Sequence, residues 1–424
     1  MTISQNGELF EAALASLQGT VPNAEEYARL CTLSLKHPLA AEMTTMDPFS
    51  LEYRAKAMRL YLDLRGRAND DYIPEVHELT GDTGLPADIW RHSSPWSFRS
   101  SQMAAEFLVC WGHIMRLLNL PNDSSASILE YGPGSGQLLL LLARMGLDVH
   151  AVDIDQPSLD LVAAQANAMG LEIKRERALF GEGFGDKTFD RIIFFEAFHH
   201  AWDFEKLLGR LSERLAPDGL LILCGEPVVG QPTPSIPFPW GPRLDALSIF
   251  CMRHFGWMEL GFNEDFIFDL FGRQGWLVTD YQIPGFARAS AYVAKRASGT
   301  VVRLGEDAAI GHRFSQGWDG PEGNHRWTNQ TMARFQNPLP GGNITVRFSN
   351  LLPVRKNVII RSGSAVSRMK VPAGAVNCEI MLSNATGKTI EIECEVHQPV
   401  RLIRGSTDVR NLGIAVSEIE FHRQ

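Results

Sequence analysis

The hydrophobic and polar positions follow three different patterns along the chain. Up to about residue 120, apolar residues recur at helical spacing, as they do over Ala24–Leu35 and Gln102–Leu118. From Ser127, short apolar runs alternate with helical stretches, and this alternation predicts a parallel sheet with helices on both faces. After about Gly299, short segments of two-residue period are separated by turn residues, which is typical of an all-β sandwich.

The central region predicts five strands, three helices and a closing hairpin. The predicted strands are Ile128–Tyr131, Val149–Asp153, Glu172–Arg175, Arg191–Phe195 and Leu220–Cys224. The predicted helices are Gln137–Met145, Ser158–Met169 and Phe204–Leu215. Two further apolar segments, Leu277–Ile283 and Ser290–Lys295, lie on either side of a Pro-Gly turn and predict the hairpin.

These patterns divide the chain into three predicted domains. Residues 1–120 form a helical cap, residues 121–298 an α/β domain with a doubly wound sheet, and residues 299–424 a separate β-sandwich. Residues 226–271 are a long, proline-rich insertion at the carboxyl edge of that sheet, where ligand specificity usually resides. The candidate substrate-contacting residues of this insertion are Glu226, Trp240, Arg243, Asp245 and His254.

A glycine-rich turn lies between the first predicted strand and the helix that follows it. Gly132, Gly134 and Gly136 occupy alternate positions there. Glycine lets the backbone turn tightly and approach a ligand closely because it has no Cβ. The start of the helix then offers unpaired N–H groups to a polar ligand. The next predicted strand ends at Asp153, about 20 residues on, where the ribose hydroxyls of a nucleotide would lie.

The stretch from Glu130 to Gly136 resembles motif I of the class I S-adenosylmethionine (SAM) methyltransferases, E-x-G-x-G-x-G. Dinucleotide-binding enzymes are the alternative family for a glycine turn of this kind. Their glycines, however, are spaced G-x-G-x-x-G, and Gln137 stands here at the last glycine position. The resemblance covers about Ser127 to Arg296. It implies a doubly wound, seven-stranded sheet of the SAM-methyltransferase type, with SAM as the cofactor and S-adenosylhomocysteine as the product.

Several residue roles follow from this resemblance alone. It implies that Glu130 helps to hold the methionine end of SAM, that the three glycines lie along SAM, and that Asp153 binds the ribose. Residues after the third strand, here Ala178 and Leu179, would line the adenine. The turn after the fourth strand would face the transferred methyl group. That turn contains the candidate catalytic residues Glu196, His199 and His200.

Transfer to a hydroxyl group requires a base that removes its proton, and histidine has a suitable pKa. We therefore predict that His199 or His200 is the base, and that Glu196 orients the site or binds the acceptor. Carboxylates near this turn could also hold a divalent metal ion. The sequence assigns no metal ligand and does not distinguish between the two histidines.

The last region contains two motifs that stand out, one over residues 317–327 and one over residues 406–413. They loosely resemble parts of sandwich domains attached to bacterial glycosyltransferases and other polysaccharide-associated proteins. This resemblance implies an O-methyltransferase that acts on a sugar, glycan or glycoconjugate intermediate. Two alternatives stay open: a methyltransferase of a small aromatic or polyketide-like metabolite, and a SAM-binding interaction protein without catalysis.

Composition bears on partners and location. The net charge is −9 and the sequence has no basic block, which argues against a nucleic-acid partner. The first residues lack the basic segment and apolar run of a secretory signal, and no apolar run is long enough for a membrane span. The six cysteines have no C-x-x-C spacing, which favours reduced thiols in a cytoplasmic protein. We expect a small-molecule or glycan acceptor, and homo-oligomerisation stays open.

Overall fold

The structure is a computed structural model, which describes residues 11, 14–15, 23–67, 71–78, 93–122, 124–297, 301–305 and 314–422. The chain divides into two compact units. One unit comprises Met1–Ile267 and Asp280–Val293, and the other comprises Phe268–Thr279 and Ala294–Gln424. The domain boundary predicted after residue 298 falls outside the described residues and stays a prediction.

Most of the described helices that precede the sheet begin at polar capping residues. The side chain of Asn23 accepts hydrogen bonds from the backbone N–H groups of Glu25 and Glu26 and so caps the first of them. Ser50 and Ser100 cap two later helices by the same chemistry. The described helices of this region are α1 (Ala24–Thr32), α2 (Pro38–Met43), α3 (Leu51–Arg65), α4 (Pro74–His77) and α5 (Ser101–Leu117).

Strands and helices then alternate along the chain. The strands are β1 (Ser127–Tyr131), β2 (Asp148–Asp153), β3 (Lys174–Arg177), β4 (Phe189–Phe195), β5 (Leu215–Cys224), β6 (Val228–Val229), β7 (Trp240–Pro242), β8 (Leu260–Asn263), β9 (Trp276–Tyr281) and β10 (Ala291–Arg296). The helices are α6 (Gln137–Arg144), α7 (Gln156–Met169), α8 (Phe204–Arg214), α9 (Ala246–His254) and α10 (Glu264–Arg273).

Seven of these strands form one sheet in the order β3-β2-β1-β4-β5-β10-β9, which confirms the predicted fold class. The pairs β1–β2, β1–β4, β2–β3 and β4–β5 are parallel. The strand order reverses between β1 and β4, so the loops that leave their carboxyl ends lie side by side. Such a switch point is the usual ligand site of an open α/β sheet.

The predicted strand bounds differ from the observed ones at two places. The third strand begins at Lys174, two residues later than predicted, and all four of its residues are exposed. Its sequence is polar, so no apolar run marked its position. The fifth strand begins five residues earlier than predicted, at Leu215, because it includes a polar Pro-Asp-Gly segment, whose residues are more typical of a turn than of a strand.

The proline-rich insertion is folded rather than a simple loop. Its strands form a small sheet in the order β6-β8-β7, and α9 lies between β7 and β8 in the chain. Trp240 of this sheet is fully buried and packs against the ring of Tyr53 at 5.2 Å. The insertion is therefore part of the core of the first unit.

We expect Tyr53→Phe to lower the free energy of unfolding by about 1–2 kcal/mol, since it leaves two buried main-chain groups without a partner. The Tyr53 hydroxyl donates to the carbonyl of Trp240 at 2.6 Å and accepts from its N–H at 3.3 Å. Urea denaturation of the two proteins measures the difference. A loss below about 0.3 kcal/mol would contradict a stabilising role for this contact, and Tyr27→Phe, whose hydroxyl instead pairs with Arg288, serves as a comparison.

The second unit contains the predicted all-β region. Its strands are β11 (Val301–Arg303), β12 (Phe314–Gln316), β13 (Trp318–Glu322), β14 (His325–Thr328), β15 (Met332–Gln336), β16 (Gly342–Ser349), β17 (Lys356–Ser362), β18 (Ala365–Val371), β19 (Cys378–Ala385), β20 (Thr389–Glu393) and β21 (Ala415–His422), with one short helix, α11 (Pro399–Leu402). One antiparallel sheet has the order β13-β14-β21-β16-β19, with β11 also paired to β21, and the other has the order β12-β15-β20-β17-β18.

The two motifs of this region meet in the folded chain. Arg410 of the second motif pairs with Glu322 of the first at 2.9 Å and with Asp408 at 2.7 Å. Trp327 is only 5% exposed, and the indole N–H of Trp318 donates to the carbonyl of Arg334. These residues contribute packing and pairing to the sandwich.

Candidate active site

A cavity of about 1140 Å³ lies at the carboxyl ends of β1, β2 and β4 in the first unit. Ligand pockets of a single small molecule usually measure roughly 300–1,000 Å³, so this cavity has room for two ligands. The sequence-predicted residues that line it are Glu130, Gly132, Gly134, Asp153, Leu179, Glu196 and His200.

The glycine turn borders this cavity, and the structure requires glycine at its three positions for different reasons. All three adopt positive φ angles of 49–70°. A Cβ on Gly132 would lie 2.8 Å from Cβ of Ala197, and a Cβ on Gly136 would lie 2.5 Å from Val162. A Cβ on Gly134 would meet no heavy atom of the described chain within 4 Å. Gly134 therefore leaves room for a ligand, whereas Gly132 and Gly136 permit internal packing.

Two acidic side chains border the same cavity. Glu130 is 2% exposed, and its Oε2 has no hydrogen-bond partner within the described ranges. Burial, with the nearby Asp153, raises the pKa of Glu130 to about 8. Burial also raises the pKa of Asp153 to about 6, although Oδ1 of Asp153 accepts from the N–H of Asp155 at 2.9 Å. An orphaned buried acceptor next to an open glycine fits a cationic ligand that carries hydrogen-bond donors, as SAM does.

The two residues predicted to line the adenine, Ala178 and Leu179, have different positions in the structure. Leu179 lines the cavity together with Ile154 and Phe180. Ala178 is outside the described lining, and its N–H donates to the carbonyl of Asp153 at 3.1 Å. Ala178 thus supports the turn that carries Asp153, whereas Leu179 is placed to touch a bound ring.

We expect Glu130→Gln to stabilise the protein alone while it weakens SAM binding. The raised pKa means that the folded state keeps a proton that the unfolded state loses above the ordinary glutamate pKa. Stability therefore falls as pH rises from about 4.5 to about 8, and the amide removes this penalty. We expect a melting temperature about 2–4 °C higher at pH 8.5 and little change at pH 4.5. Scanning calorimetry at both pH values, followed by titration with SAM, measures both effects, and a variant that is destabilised at pH 8.5 would contradict the prediction.

The turn after β4 is held by one buried carboxylate. Glu226 accepts hydrogen bonds from the main-chain N–H groups of Ala197, Phe198 and His199 at 2.9–3.0 Å. Its Oε2 also lies 2.8 Å from Nδ1 of His199. Glu226 is outside the described cavity lining. It therefore anchors the turn after β4 and does not line the cavity.

The two histidines of this turn have different surroundings. Nδ1 of His199 faces Glu226, and its Nε2 lies 3.6 Å from Glu259, so both of its nitrogens face carboxylates. His200 lines the cavity, and its buried Nδ1 has no hydrogen-bond partner in the part of the chain that the structure describes. Burial and the adjacent His199 lower the pKa of His200 to about 4, so His200 is neutral at pH 7.

Glu196 is held in place by a buried arginine. Its φ angle is +52°, a conformation that costs a non-glycine residue about 1–3 kcal/mol and that is often found at functional sites. Its carboxylate pairs with Arg288, which also lies near Glu106 and Tyr27. Burial raises the pKa of Glu196 despite the charge of Arg288. This arrangement fits the predicted orienting role of Glu196.

His199, His200 and Glu259 each bring one possible ligand atom within 4.8 Å of the others. Glu259, however, already pairs with the guanidinium of Arg243. Although burial alone would raise the pKa of Glu259, Arg243 and the two imidazoles lower it. The arginine occupies the position of a cation beside this carboxylate, so we assign no metal ion to the cluster.

The other predicted substrate residues lie in the shell around the cavity. Trp240 packs in the core and donates its indole N–H to the carbonyl of Pro48. Arg243 pairs with Glu259, and Asp245 caps α9 by accepting from the N–H of Ser248. His254 is exposed and stacks on Phe250 at 5.1 Å. The cavity lining, as far as the chain is described, includes none of these predicted contacts.

The insertion does contribute to the cavity, but through aromatic and aliphatic residues. Phe255 and Trp257 stack with their ring centroids 4.4 Å apart, and Trp257 meets His200 edge to face at 5.6 Å. The insertion contributes Leu247, Phe250, Cys251, Phe255 and Trp257 to the lining. Helix α4 and the residues next to it contribute Tyr72, Pro74 and Glu78. The density of aromatic residues in the insertion was the available signal for this wall, whereas no motif marked Glu78.

The chain resembles known methyltransferases in and around this site. A family model described as a methyltransferase domain matches residues 97–226, which include the glycine turn, Asp153 and the turn after β4. The chain is 29% identical to the ubiquinone biosynthesis O-methyltransferase of Rickettsia conorii over 105 residues, which are 24% of this chain and 36% of that protein. It is 34% identical to the demethylmenaquinone methyltransferase of Thermus thermophilus over 99 residues, 23% of this chain and 45% of that protein.

The chain spans less than half the length of these curated relatives. Among solved structures, a SAM-dependent methyltransferase from Clostridium acetobutylicum is 14% identical with a TM-score of 0.33, covering 45% of this chain and 92% of that chain. Another from Aquifex aeolicus is 16% identical with a TM-score of 0.33, covering 44% of this chain and 89% of that chain. Residues 97–226 therefore carry a methyltransferase domain, and SAM is its cofactor.

Proposed function

We propose that the whole chain is a SAM-dependent methyltransferase whose acceptor is a hydroxyl group on a small, largely aromatic molecule. The observation that carries this proposal is the composition of one cavity. The glycine turn, Glu130 and Asp153 line it, and so do His200 and a set of aromatic side chains. A cofactor and an acceptor could therefore meet in the same cavity.

The residues present fit SAM on chemical grounds. Gly134 leaves open space, Glu130 offers an unpartnered buried oxygen, and Asp153 offers a carboxylate at the end of β2. Glu130 would hold the cationic end and Asp153 the ribose, with Leu179 against the adenine. When bound, SAM supplies an electrophilic methyl group on a positively charged sulfur.

His200 is the base that this geometry favours. It lines the cavity and is neutral at pH 7, so one of its ring nitrogens can accept a proton. His199 instead holds the turn through Glu226. His200 is therefore placed to receive the proton of an acceptor hydroxyl, and Glu196, fixed by Arg288, is placed to orient the bound molecules.

The lining favours an aromatic acceptor. Tyr72, Phe250, Phe255 and Trp257 offer ring faces and edges against which a planar molecule can pack. The relatives named for ubiquinone biosynthesis and demethylmenaquinone are, by name, enzymes of quinone compounds, which are also planar rings. A sugar or glycan acceptor remains the second prediction; it rests on the motifs of the sandwich, where Trp318 and Trp327 are engaged in packing.

One transfer assay tests the proposal. Purified protein is incubated with SAM labelled in the methyl group and with catechol, 1,4-naphthohydroquinone, glucose or glucuronate, and the labelled product is identified by mass spectrometry. We expect O-methylation of a phenolic probe and none of the sugars. Transfer to a sugar only would favour the glycan prediction, and SAM binding without transfer to any probe would favour a non-catalytic role.

We also propose a cytoplasmic location, and we propose that the partner of the chain is not a nucleic acid. The six cysteines are free thiols, which supports a reducing compartment. Among the described helices, none has both the length and the apolar character required to cross a membrane. Fractionation of cells that express the native chain, with thiol labelling of the recovered protein, tests the location.

A further inference from the structure

Glu78 has no role in the function proposed so far, although it lines the cavity next to His200. Its Oε2 lies 3.5 Å from the orphaned Nδ1 of His200. Its Oε1 accepts a hydrogen bond from the Tyr72 hydroxyl at 2.6 Å and another from the N–H of Met258. A single carboxyl group thus joins the helical region before the sheet, the insertion and the catalytic turn.

These contacts leave Glu78 unlike an ordinary surface carboxylate. Its side chain is only 9% exposed, and the gap of 3.5 Å is too long for a strong direct hydrogen bond to His200. Catalytic hydrogen bonds are often long in the free enzyme and tighten when the substrate binds. The two groups are therefore close enough for a hydrogen bond between them to form when the site tightens, with a proton on Nδ1 of His200.

We propose that Glu78 and His200 form one proton-accepting pair, in which His200 takes the proton of the acceptor hydroxyl and Glu78 stabilises the imidazolium that forms. The O–H bond of the acceptor breaks, its electron pair stays on oxygen, and an N–H bond forms at Nε2 of His200, while the proton on Nδ1 faces the carboxylate of Glu78. Glu78 is thus the positioning residue of the base. This inference rests on the proposed function, because it requires a hydroxyl acceptor in the same cavity.

The charges around the pair determine the pH at which it works. Burial raises the pKa of Glu78 to about 8, and burial lowers that of His200. Below about pH 8, Glu78 is neutral and cannot stabilise an imidazolium, so the pair becomes a competent base as pH rises through this value. The other titratable or charged groups that act on the two residues are Tyr61, Arg65, Tyr72, His199, Glu226 and Glu259.

The test begins with a readout that needs no acceptor. Nuclear magnetic resonance of protein labelled with ¹³C at the histidine Cε1 positions follows the imidazoles across pH, and the His200→Ala variant identifies the His200 signal. We expect this signal to shift in a step near pH 8, because Glu78 loses its proton there. The step should be absent in Glu78→Gln and present, with a changed midpoint, in Glu78→Asp. A step that persists in Glu78→Gln would overturn the pairing.

The same variants are then assayed for transfer to a phenolic probe. We expect Glu78→Gln to lower kcat by about 10–100-fold and to lose the rise near pH 8, with the SAM affinity changed by less than about threefold. Glu78→Asp should restore part of kcat. Tyr72→Phe is the matched control, since it removes one hydrogen bond to Glu78 but keeps the carboxylate, and it should retain the pH dependence.

Each outcome separates this inference from the proposed function. If the wild type transfers methyl groups and Glu78→Gln has the same kcat and pH profile, Glu78 has no part in proton transfer and only the inference fails. If Tyr72→Phe, which keeps the carboxyl group, loses the rise near pH 8 as Glu78→Gln does, the pH dependence does not come from Glu78 and the inference also fails. If the wild type binds no SAM, the proposed function fails.

Discussion

Replacing His200 with alanine is expected to lower turnover by about 10²–10⁴-fold, the usual contribution of a general base. The imidazole lines the cavity and is neutral at pH 7, so it can accept a proton there. SAM affinity should change by less than about threefold, because the base contacts the acceptor and not the donor. Turnover with a phenolic probe and calorimetric titration with SAM measure the two effects separately.

A matched control is available for this substitution. His254 lies in the insertion, is exposed and stacks on Phe250. His254 itself is not part of the described cavity lining. His254→Ala should keep wild-type turnover. If His200→Ala and His254→Ala have the same activity, His200 is not the base, and alignment of the bound molecules would have to account for catalysis.

Replacing Asp153 with alanine is expected to weaken SAM binding by about 10–100-fold, since hydrogen bonds to a charged group contribute about 1.5–3 kcal/mol. Asp153 ends β2, lines the cavity, and is set in position by the N–H of Asp155. Burial raises the pKa of Asp153 to about 6, so the carboxylate is ionised at neutral pH and protonated in mild acid. SAM affinity should therefore also fall in the wild type as the pH drops below about 6.

Calorimetric titrations of wild type and Asp153→Ala at pH 7.5 and pH 5 test both statements. Asp160→Ala provides the control, because Asp160 lies on the exposed face of α7 and bonds to Gln156 rather than to the cavity. We expect its SAM affinity to equal that of the wild type at both pH values. Equal affinity of Asp153→Ala and wild type at pH 7.5 would remove Asp153 from the cofactor site.

The parts of the site that could be predicted from the sequence are those with a local signal. The glycine turn is followed by a helix and a second strand, so their order in the chain fixes their position at the edge of the sheet. The structure places Gly134 and Asp153 on one cavity for this reason. The turn after β4 is equally local, and it brings Glu196 and His200 to the same cavity.

The parts that could not be predicted depend on contacts between distant segments. Glu78 accepts a hydrogen bond from Met258, which lies 180 positions later in the chain, and no spacing in the sequence predicts such a pair. Arg288 meets both Glu196 and Tyr27 in the same way. The pattern of the sequence predicts charged residues of the insertion as substrate contacts. In the structure these charges are paired within the protein, as the charge of Arg243 is paired with that of Glu259.

The glycine turn and Asp153 together are proposed to form the SAM site of this chain. Isothermal titration of the purified protein with SAM, S-adenosylhomocysteine and NAD tests it most directly. We predict micromolar binding of the first two ligands, weakened in Asp153→Ala, and no measurable binding of NAD. Binding of NAD in place of SAM, or binding of SAM that Asp153→Ala leaves unchanged, would contradict the claim.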